Sequence, residues 1–302
     1  MAQDQAKAQR TGWLWQAIAY LVAVIVGGGV WMWGGHLELI PRLWWADVAG
    51  TIVIFLFSIS LKNSSMYDPY WSLWPMGAAI LLFSMSEMGL REMVVLALTC
   101  AYGMRLTWNF LRGWPGMSHQ DWRYDRLHAK TGKWYWIVSF LGIHMMPTGM
   151  TFGGSLSLIP AMYEPMAGWS LFDVLAVMVT GGAVLLEGIA DNQLRAFMKS
   201  NPPKGSIMES GVWAWCRHPN YLGEILFWWG LWMFGYAANP AYAWTVVGPL
   251  AITCLFAFIS IPMMDRRHRD RRPGYADHMK QLPGLIPLGL FKRKKSASRT
   301  NK

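Results

Sequence analysis

The sequence predicts an all-α integral membrane protein with about eight transmembrane helices. Of its 302 residues, 54% are hydrophobic and only 15% are charged, whereas about 25% are charged in soluble domains. Eight apolar segments are long enough, or nearly so, to cross a bilayer, which takes roughly 20 residues as helix. The basic residues fall almost entirely in alternate loops between these segments, as in membrane proteins that follow the positive-inside rule. Together these observations exclude a soluble globular protein.

The apolar segments follow one another with short polar stretches between them. The first spans the full bilayer thickness and has no small-residue cleavage site after it, so we expect a retained helix and not a signal peptide. The second and third are the shortest. The predicted segments cover residues 13–34, 45–61, 72–90, 92–111, 134–160, 169–190, 219–237 and 242–264.

Charge sets the expected orientation. Of the 27 Lys and Arg residues, only Arg42 and Arg91 fall in the loops of one side, and Arg105 lies inside a segment. Positive loops mark the cytoplasmic side, so we expect an integral membrane protein with both termini in the cytoplasm. The predicted organisation is a disordered N-terminus over 1–12, a single membrane domain over 13–290 and a basic, disordered tail over 291–302.

The net charge of +10 does not require nucleic acid as a partner. The basic residues track one face of the membrane, so membrane lipid headgroups are the expected partners of the tail. Cys100, Cys216 and Cys254 lack metal or disulfide spacing, so no metal site is predicted. His144 stands alone in an apolar segment, where an imidazole usually packs or hydrogen-bonds.

The most informative stretch is 216–224, with the sequence C-R-H-P-N-Y-L-G-E. Pro219 suits the first turn of a helix, and Asn220 and Glu224, four residues apart, share one helical face. A carboxylate this deep in an apolar segment is costly without a partner and therefore indicates function. The alternative is a helix cap with interfacial Arg and Tyr anchors.

Four further polar clusters lie at helix ends of the same expected side. Asp68 follows N-S-S-M-Y and precedes Pro69, so it is either a pocket carboxyl or a helix cap. Arg105, inside a helix, faces a cavity or forms a structural salt bridge to Glu187. The clusters are 63–71; Tyr102, Arg105 and Asn109 on one helical stripe; Glu187, Asp191 and Arg195 on another; and the basic stretch 265–275.

These motifs resemble the steroid 5α-reductase family, in particular its bacterial branch. The resemblance rests on R-H-P-N-Y-x-G-E, the Asp191–Arg195 helix before it, R-P-G-Y over 272–275 and L-I-P over 285–287, with N-S-S-x-Y-D-P-Y-W as an earlier match. It implies a seven-helix reductase-like core, to which the first predicted segment is an N-terminal addition.

The resemblance also implies an NADPH-dependent reductase that transfers hydride to a C=C bond conjugated to a carbonyl, in an apolar substrate entering from the bilayer. Tyr102 matches the family's enone-binding tyrosine, and Asp68 is the carboxyl nearest to its enone-binding glutamate, which this chain lacks. A phenol and a protonated carboxyl could stabilise the enolate that hydride addition creates. The candidate cofactor-binding residues are Asp191, Arg195, Arg217, His218, Asn220, Tyr221, Glu224 and Tyr275, with Arg105 and Asn109.

Two other functions stay open at this point. Membrane methyltransferases that use S-adenosylmethionine share R-H-P-x-Y, but they usually carry paired glutamates where this chain has Met264-Asp265-Arg266. Arginine there favours a phosphorylated cofactor over a cationic sulfonium. A non-enzymatic lipid-binding or transport protein would bind no nucleotide.

Overall fold

The computed structural model describes residues 2–287, with side chains from Lys7 onward, and this part of the chain is helical without any strand. Contacts divide the protein into two compact units, one ending at Glu164 and the other beginning at Pro165. The division falls in the helix-free stretch 163–170, where Pro165 and Gly168 interrupt helical structure. The single membrane domain over 13–290 stays a prediction. The expected tail, 291–302, lies outside the described residues.

The first unit consists of four long helices followed by shorter ones. A 3₁₀ turn, Ser64–Tyr67, connects the second and third helices, and a π-helical turn, Phe140–Met145, connects the sixth and seventh. The helices are α1 (Ala2–Trp33), α2 (Leu39–Ser60), α3 (Tyr70–Ser84), α4 (Leu90–Gly113), α5 (Trp122–Thr131), α6 (Tyr135–Ser139), α7 (Met146–Ser155) and α8 (Leu158–Met162).

Helix α1 begins at Ala2, and the disorder that the sequence predicts over 1–12 stays a prediction. Ala, Gln and Lys, which dominate this stretch, are good helix formers. The segment is also held in place, since Gln9 Nε2 donates to the Trp114 carbonyl at 2.8 Å. A Cβ on Gly12 would lie 2.9 Å from the Gly116 Cα, so the backbones pack closely there.

The second unit is built on a long antiparallel helix pair. Its helices are α9 (Leu171–Lys199), α10 (Pro219–Ala238), α11 (Val247–Leu255), α12 (Ile261–Arg271) and α13 (Tyr275–Gln281). A 3₁₀ segment, Pro240–Val246, precedes α11, and a π-helical turn, Phe256–Ser260, joins α11 to α12.

Small residues set the spacing and register of α9 against α10. A Cβ on Gly230 would lie 2.1 Å from Thr180 Oγ1, and one on Gly223 would lie 2.8 Å from Glu187 Cβ. Seven residues therefore separate the paired positions on both helices, which run in opposite directions. Close approach through small residues is the usual way that membrane helices pack without a hydrophobic driving force.

Five helical stretches are long and apolar enough to cross a membrane: Lys7–His36, Leu39–Ser60, Leu90–Gly113, Leu171–Lys199 and Pro240–Arg271. They correspond to five of the eight segments that the sequence predicts. Of the other three, α3 has only 15 residues, the segment 134–160 is divided between α6, a π turn, α7 and α8, and the polar first turn of α10 lowers its hydropathy. The count of eight crossings stays a prediction.

The α9–α10 contact gives a stability prediction. Gly230→Ala should lower the free energy of unfolding by about 1–3 kcal/mol, because the new methyl group meets Thr180 and the backbones must separate. Gly182→Ala on α9 is the matched control, since its Cβ would have nothing within 4 Å, and it should leave stability unchanged or raise it by up to about 1 kcal/mol. Thermal unfolding in detergent measures both. Equal effects of the two substitutions would contradict the packing described here.

Candidate functional site

The start of α10 is held by one buried carboxylate, Asp265 on α12. Arg217 donates to it twice, from Nε to Oδ1 at 3.2 Å and from Nη2 to Oδ2 at 2.6 Å. His218 Nε2 lies 3.0 Å from Oδ1, and the Tyr275 hydroxyl donates to the same oxygen at 2.9 Å. We call Asp265, Arg217, His218 and Tyr275 the Asp265 cluster. It joins α12, α13 and the first turn of α10.

The charges of the Asp265 cluster compensate each other within a buried environment. The side chains of Arg217 and Asp265 are only 9% and 7% exposed, so the bidentate guanidinium–carboxylate pair replaces the hydration that both groups lose. Burial, followed by the negative charge of Asp265, raises the pKa of Tyr275 well above its ordinary value. Tyr275 therefore stays a neutral hydrogen-bond donor.

The chain after α13 is hydrogen-bonded to the residues just before α10. The backbone N–H groups of Arg217 and His218 donate to the carbonyls of Pro283 and Gly284 at 3.0 and 3.1 Å. Arg217 Nη1 also donates to the Leu282 carbonyl. The guanidinium is thus shared between a carboxylate and backbone carbonyls, which fixes its position.

Asn220 differs from its neighbours in the first turn of α10. Its side-chain oxygen Oδ1 is buried and has no hydrogen-bond partner among the described residues. A buried polar atom left in this state costs about 1–3 kcal/mol, and one explanation is a ligand that supplies the missing donor. Asn220 is therefore the strongest ligand-binding candidate in the second unit.

The α9–α10 register brings Asp191 toward the same place. Because Glu187 lies opposite Gly223, the residue one turn further along α9, Asp191, is level with the Pro219–Asn220 turn. Asp191 and Arg195 are both half-buried on this helix. Trp213 Nε1 donates to the Ala190 carbonyl at 3.0 Å, which ties the loop before α10 to the same part of α9.

Gly211 in that loop is required by its conformation. Its φ is +62°, and a Cβ there would lie 2.3 Å from Gln193 Oε1, which accepts from the Val212 N–H at 3.0 Å. A side chain at 211 would therefore break the contact between the loop and α9.

The other two candidates on α10 have internal partners. The ring of Tyr221 stacks on His218, with centroids 5.3 Å apart and planes 9° apart, and packs on Phe256 at 4.8 Å. Glu224 is buried and accepts from Trp228 Nε1 at 2.9 Å. The sequence inference that Glu224 needs a partner is thus confirmed, and Trp228 is one such partner.

The sequence named three of the four cluster residues but not the one that joins them. Arg217, His218 and Tyr275 are predicted as cofactor-binding residues, and the structure brings them together on Asp265. Their recorded hydrogen bonds make them positioning residues for the first turn of α10. Asp265 could have been identified because it is a carboxylate at the end of an apolar segment. It was missed because arginines surround it, and the stretch was therefore interpreted as basic.

In the first unit, Asp68 lies at the end of the 3₁₀ turn that precedes α3. It accepts from the Tyr124 hydroxyl at 2.5 Å. The N-cap residue of α3 is Pro69 and the helix has no side-chain cap, so Asp68 does not cap it. Burial raises the pKa of Asp68 to about 6, although the charge of Arg123 and the Tyr124 hydrogen bond act in the opposite direction. Asp68 is therefore half protonated near pH 6.

Tyr102, Arg105 and Asn109 share one stripe of α4, as the sequence predicts. Tyr102 is fully buried, and the Arg105 guanidinium carbon lies 5.9 Å from the centre of its ring. Asn109 Oδ1 accepts from Arg112 Nη2 at 2.9 Å. A Cβ on the next residue, Gly103, would lie 2.7 Å from the Ser72 carbonyl, so α3 and α4 are in close contact beside Tyr102.

Metal ligation and the buried histidine His144 are separate questions. Across residues 2–287, no group of three or more His, Cys, Asp or Glu side chains could hold a metal ion. His144 is buried and hydrogen-bonded, with Nε2 3.1 Å from Ser58 Oγ and Nδ1 3.0 Å from the Ser139 carbonyl, which confirms the packing interpretation.

These features define a helical membrane protein with a polar, buried cluster at a helix start. The chain belongs to the family described as "Protein of unknown function (DUF1295)", whose match covers residues 54–282. That family includes steroid 5α-reductase-like proteins, so the resemblance inferred from the motifs is confirmed at this wider level. The match begins inside α2 and leaves α1 outside.

One relative extends the likeness over more of the chain. An uncharacterised protein of the fission yeast Schizosaccharomyces pombe is 24% identical over 264 residues, which cover 78% of this chain and 76% of the relative. No solved structure gives a significant match.

The Asp265 cluster predicts a large effect of a small substitution. Asp265→Asn should lower the free energy of unfolding by about 3–5 kcal/mol, because it leaves the buried Arg217 charge uncompensated. Asp270→Asn, at an exposed position on the same helix, is the matched control and should change it by less than about 0.5 kcal/mol. Thermal unfolding in detergent compares them, and similar midpoints would contradict the role of Asp265.

The raised pKa of Asp68 predicts a pH dependence of stability. The folded state holds the proton more tightly than the unfolded chain, whose carboxyl has a pKa of about 3.8. The stabilisation is fully present well below pH 3.8 and is lost as the pH rises through about 6. The unfolding free energy of the wild type relative to Asp68→Asn should therefore fall by about 2.4 kcal/mol between pH 4 and pH 7. A difference that stays constant with pH, or that rises, would refute the shift.

Proposed function

We propose that the protein is an NADPH-dependent membrane reductase that adds hydride to a C=C bond conjugated to a carbonyl in a lipid-like molecule. The observation that carries the proposal is Asn220 Oδ1, a buried acceptor without a partner among the described residues, in the turn that the Asp265 cluster holds in place. The motif resemblance described above points to the same function.

The second unit would bind the cofactor. Asn220 Oδ1 would accept a hydrogen bond from an amide, amine or hydroxyl of the dinucleotide, and Asp191, level with it, offers a second acceptor. Arg195 and the arginines at the end of α12 are suited to its phosphates because a guanidinium presents a bidentate fork. NADPH would supply the hydride when bound.

The first unit would polarise the substrate carbonyl. Negative charge develops on that oxygen during hydride addition, and the buried Tyr102 hydroxyl is a neutral donor that can stabilise it. Arg105, over the Tyr102 ring, makes this phenol a stronger donor by its positive charge. With a pKa of about 6, Asp68 is mostly ionised at pH 7, so Tyr102 is the principal donor and the contribution of Asp68 grows in acid.

The proposal includes a membrane arrangement. We expect eight crossings, with both termini in the cytoplasm of a bacterial inner membrane, so that a soluble cofactor reaches the basic face and the apolar substrate enters from the bilayer. Steroids, sterols, isoprenoids and acyl chains with a conjugated carbonyl all satisfy this chemistry.

One structural feature weighs against the methyltransferase alternative. An enzyme that binds the cationic sulfonium of S-adenosylmethionine benefits from carboxylates whose charge is available to it. Here the acidic residue after the last apolar segment, Asp265, is already neutralised by Arg217 and bonded to His218 and Tyr275.

Cofactor preference tests the proposal directly. NADPH should raise the thermal unfolding midpoint of the detergent-purified protein by several degrees, because binding to the folded state stabilises it, whereas S-adenosylmethionine should not. Asn220→Ala should weaken NADPH binding by about tenfold or more, while Asn192→Ala, at an exposed position on α9, should stay within twofold. Stabilisation by the methyl donor alone would overturn the proposal.

The substrate role of Tyr102 needs a separate measurement. With 4-cholesten-3-one as the test enone, Tyr102→Phe should lower kcat for NADPH oxidation by 10²-fold or more, since it removes a donor to the developing oxyanion. NADPH affinity should change by less than about threefold. A loss of NADPH binding in this variant, with turnover of the remaining complex intact, would show that the assigned role is wrong.

A further inference from the structure

The first unit contains a cavity of about 250 Å³ that the proposed function does not use. Helices α1, α2 and α3 line it. On α1 the lining runs from Tyr20 to Trp31 and on α3 from Tyr70 to Leu81. Eleven steps of 1.5 Å make each wall about 16 Å long, which is about half the ~30 Å hydrocarbon core of a bilayer.

Glycines create this space. Gly28 on α1 and Gly77 on α3 line the cavity, and a Cβ at either position would have nothing within 4 Å. Both residues are exposed, and Val24, one turn before Gly28, is 70% exposed. The cavity therefore opens on the outer surface of α1 and α3, where lipid would surround a membrane-spanning helix.

The polar groups of the lining collect at one end. The rings of Tyr20 and Tyr70 lie 6.3 Å apart, and Tyr70 also contacts Asp47, a fully buried carboxyl inside α2. The far end is formed by Trp31, Leu43 and Leu81, without charged side chains. None of the residues that line the cavity has a charged side chain. A charged ligand group is therefore excluded, because burying a charge without an opposite partner is prohibitively costly.

The hydrogen bonds already made at this end define what it can bind. The Tyr20 hydroxyl donates to the Met66 carbonyl at 3.0 Å, and the Tyr70 hydroxyl donates to Asp47 Oδ1 at 2.8 Å. Each hydroxyl has only one proton, so both oxygens are left as acceptors. Asp47 itself is not among the residues that line the cavity, so the two tyrosine oxygens are the side-chain acceptors that the lining offers. A ligand must therefore supply a donor.

We propose that this cavity binds a single-chain lipid alcohol, with its hydroxyl at the Tyr20–Tyr70 end and its chain directed toward Trp31 and Leu81. The hydroxyl donates to a tyrosine oxygen, and the chain fills the space left by Gly28 and Gly77. Two walls of the cavity, α1 and the cavity face of α2, lie outside residues 54–282, the range matched to the family, whereas the α3 wall lies inside it. The site does not depend on nucleotide binding or on the proposed reduction.

The test is equilibrium binding of radiolabelled 1-tetradecanol to the full chain in nanodiscs without nucleotide. We expect one saturable site per chain. Gly28→Leu should weaken binding at least tenfold by filling the cavity, whereas Gly29→Leu, equally open but outside the lining, should stay within twofold. If Gly28→Leu does not fold, Gly77→Leu provides the same test.

Two further comparisons test the donor requirement. The methyl ether of 1-tetradecanol keeps the chain and lacks the proton, so it should bind about fivefold more weakly, the value of one ordinary hydrogen bond. Tyr70→Phe should reduce alcohol affinity by a similar factor and leave ether affinity unchanged. Equal binding of alcohol and ether, or myristate binding as tightly as the alcohol, would overturn the proposal.

A loss of alcohol binding must also be distinguished from the dissociation of a dimer of this chain. Light scattering of the same variants measures their oligomeric state. If Gly28→Leu dissociates a dimer and the wild type shows no saturable alcohol binding, a second copy of the chain occupies the cavity and the proposal is wrong.

Discussion

The second unit depends on the buried charge of Asp265. A carboxylate in this position is tolerated because Arg217 approaches it in a bidentate geometry and because His218 and Tyr275 complete its hydrogen bonding. The same carboxylate thereby joins residues that are distant in sequence and come from three separate structural elements. Removing any one partner would expose the others to an environment that cannot solvate them. A substitution that disturbs the local geometry of the site should consequently also lower the stability of the unit.

Backbone contact between helices provides the second constraint. Gly223 and Gly230 let α10 approach α9 so closely that their register is determined by the positions of Glu187 and Thr180. This register carries Asp191 to the level of Asn220 without any direct bond between the two. The polar residues of the site are thus positioned by apolar packing along the rest of the pair, where most of the contact lies.

The sequence predicted those properties that depend on local chemistry. Apolar length predicted the helical fold, and the Pro219 signal placed the start of α10 at the residue where the structure has it. Spacing alone predicted that Tyr102, Arg105 and Asn109 share a face. Even His144, an imidazole without neighbours in sequence, was correctly interpreted as a hydrogen-bonding core residue.

What the sequence missed depends on contacts between distant residues. Arg217 lies 48 residues before Asp265, and nothing in either local pattern indicates that pairing. The interruption of 134–160 by a π-helical turn, and the early end of α3 at Ser84, were hidden by continuous hydrophobicity. Asp47 could have been found, since a carboxyl inside an apolar segment already indicates function.

The hydrogen bond from Arg217 to the Leu282 carbonyl has a consequence for biosynthesis, because its two ends are 65 residues apart. At about 5–20 residues per second, a ribosome needs about 3–13 s to synthesise that interval. During this time the Arg217 guanidinium lacks the Leu282 carbonyl as an acceptor, and for the first 48 residues it also lacks Asp265. The second unit can therefore mature only after the last helices have been inserted, and a nascent chain arrested before Gly284 would present an incomplete, protease-sensitive intermediate to the quality-control machinery of the membrane.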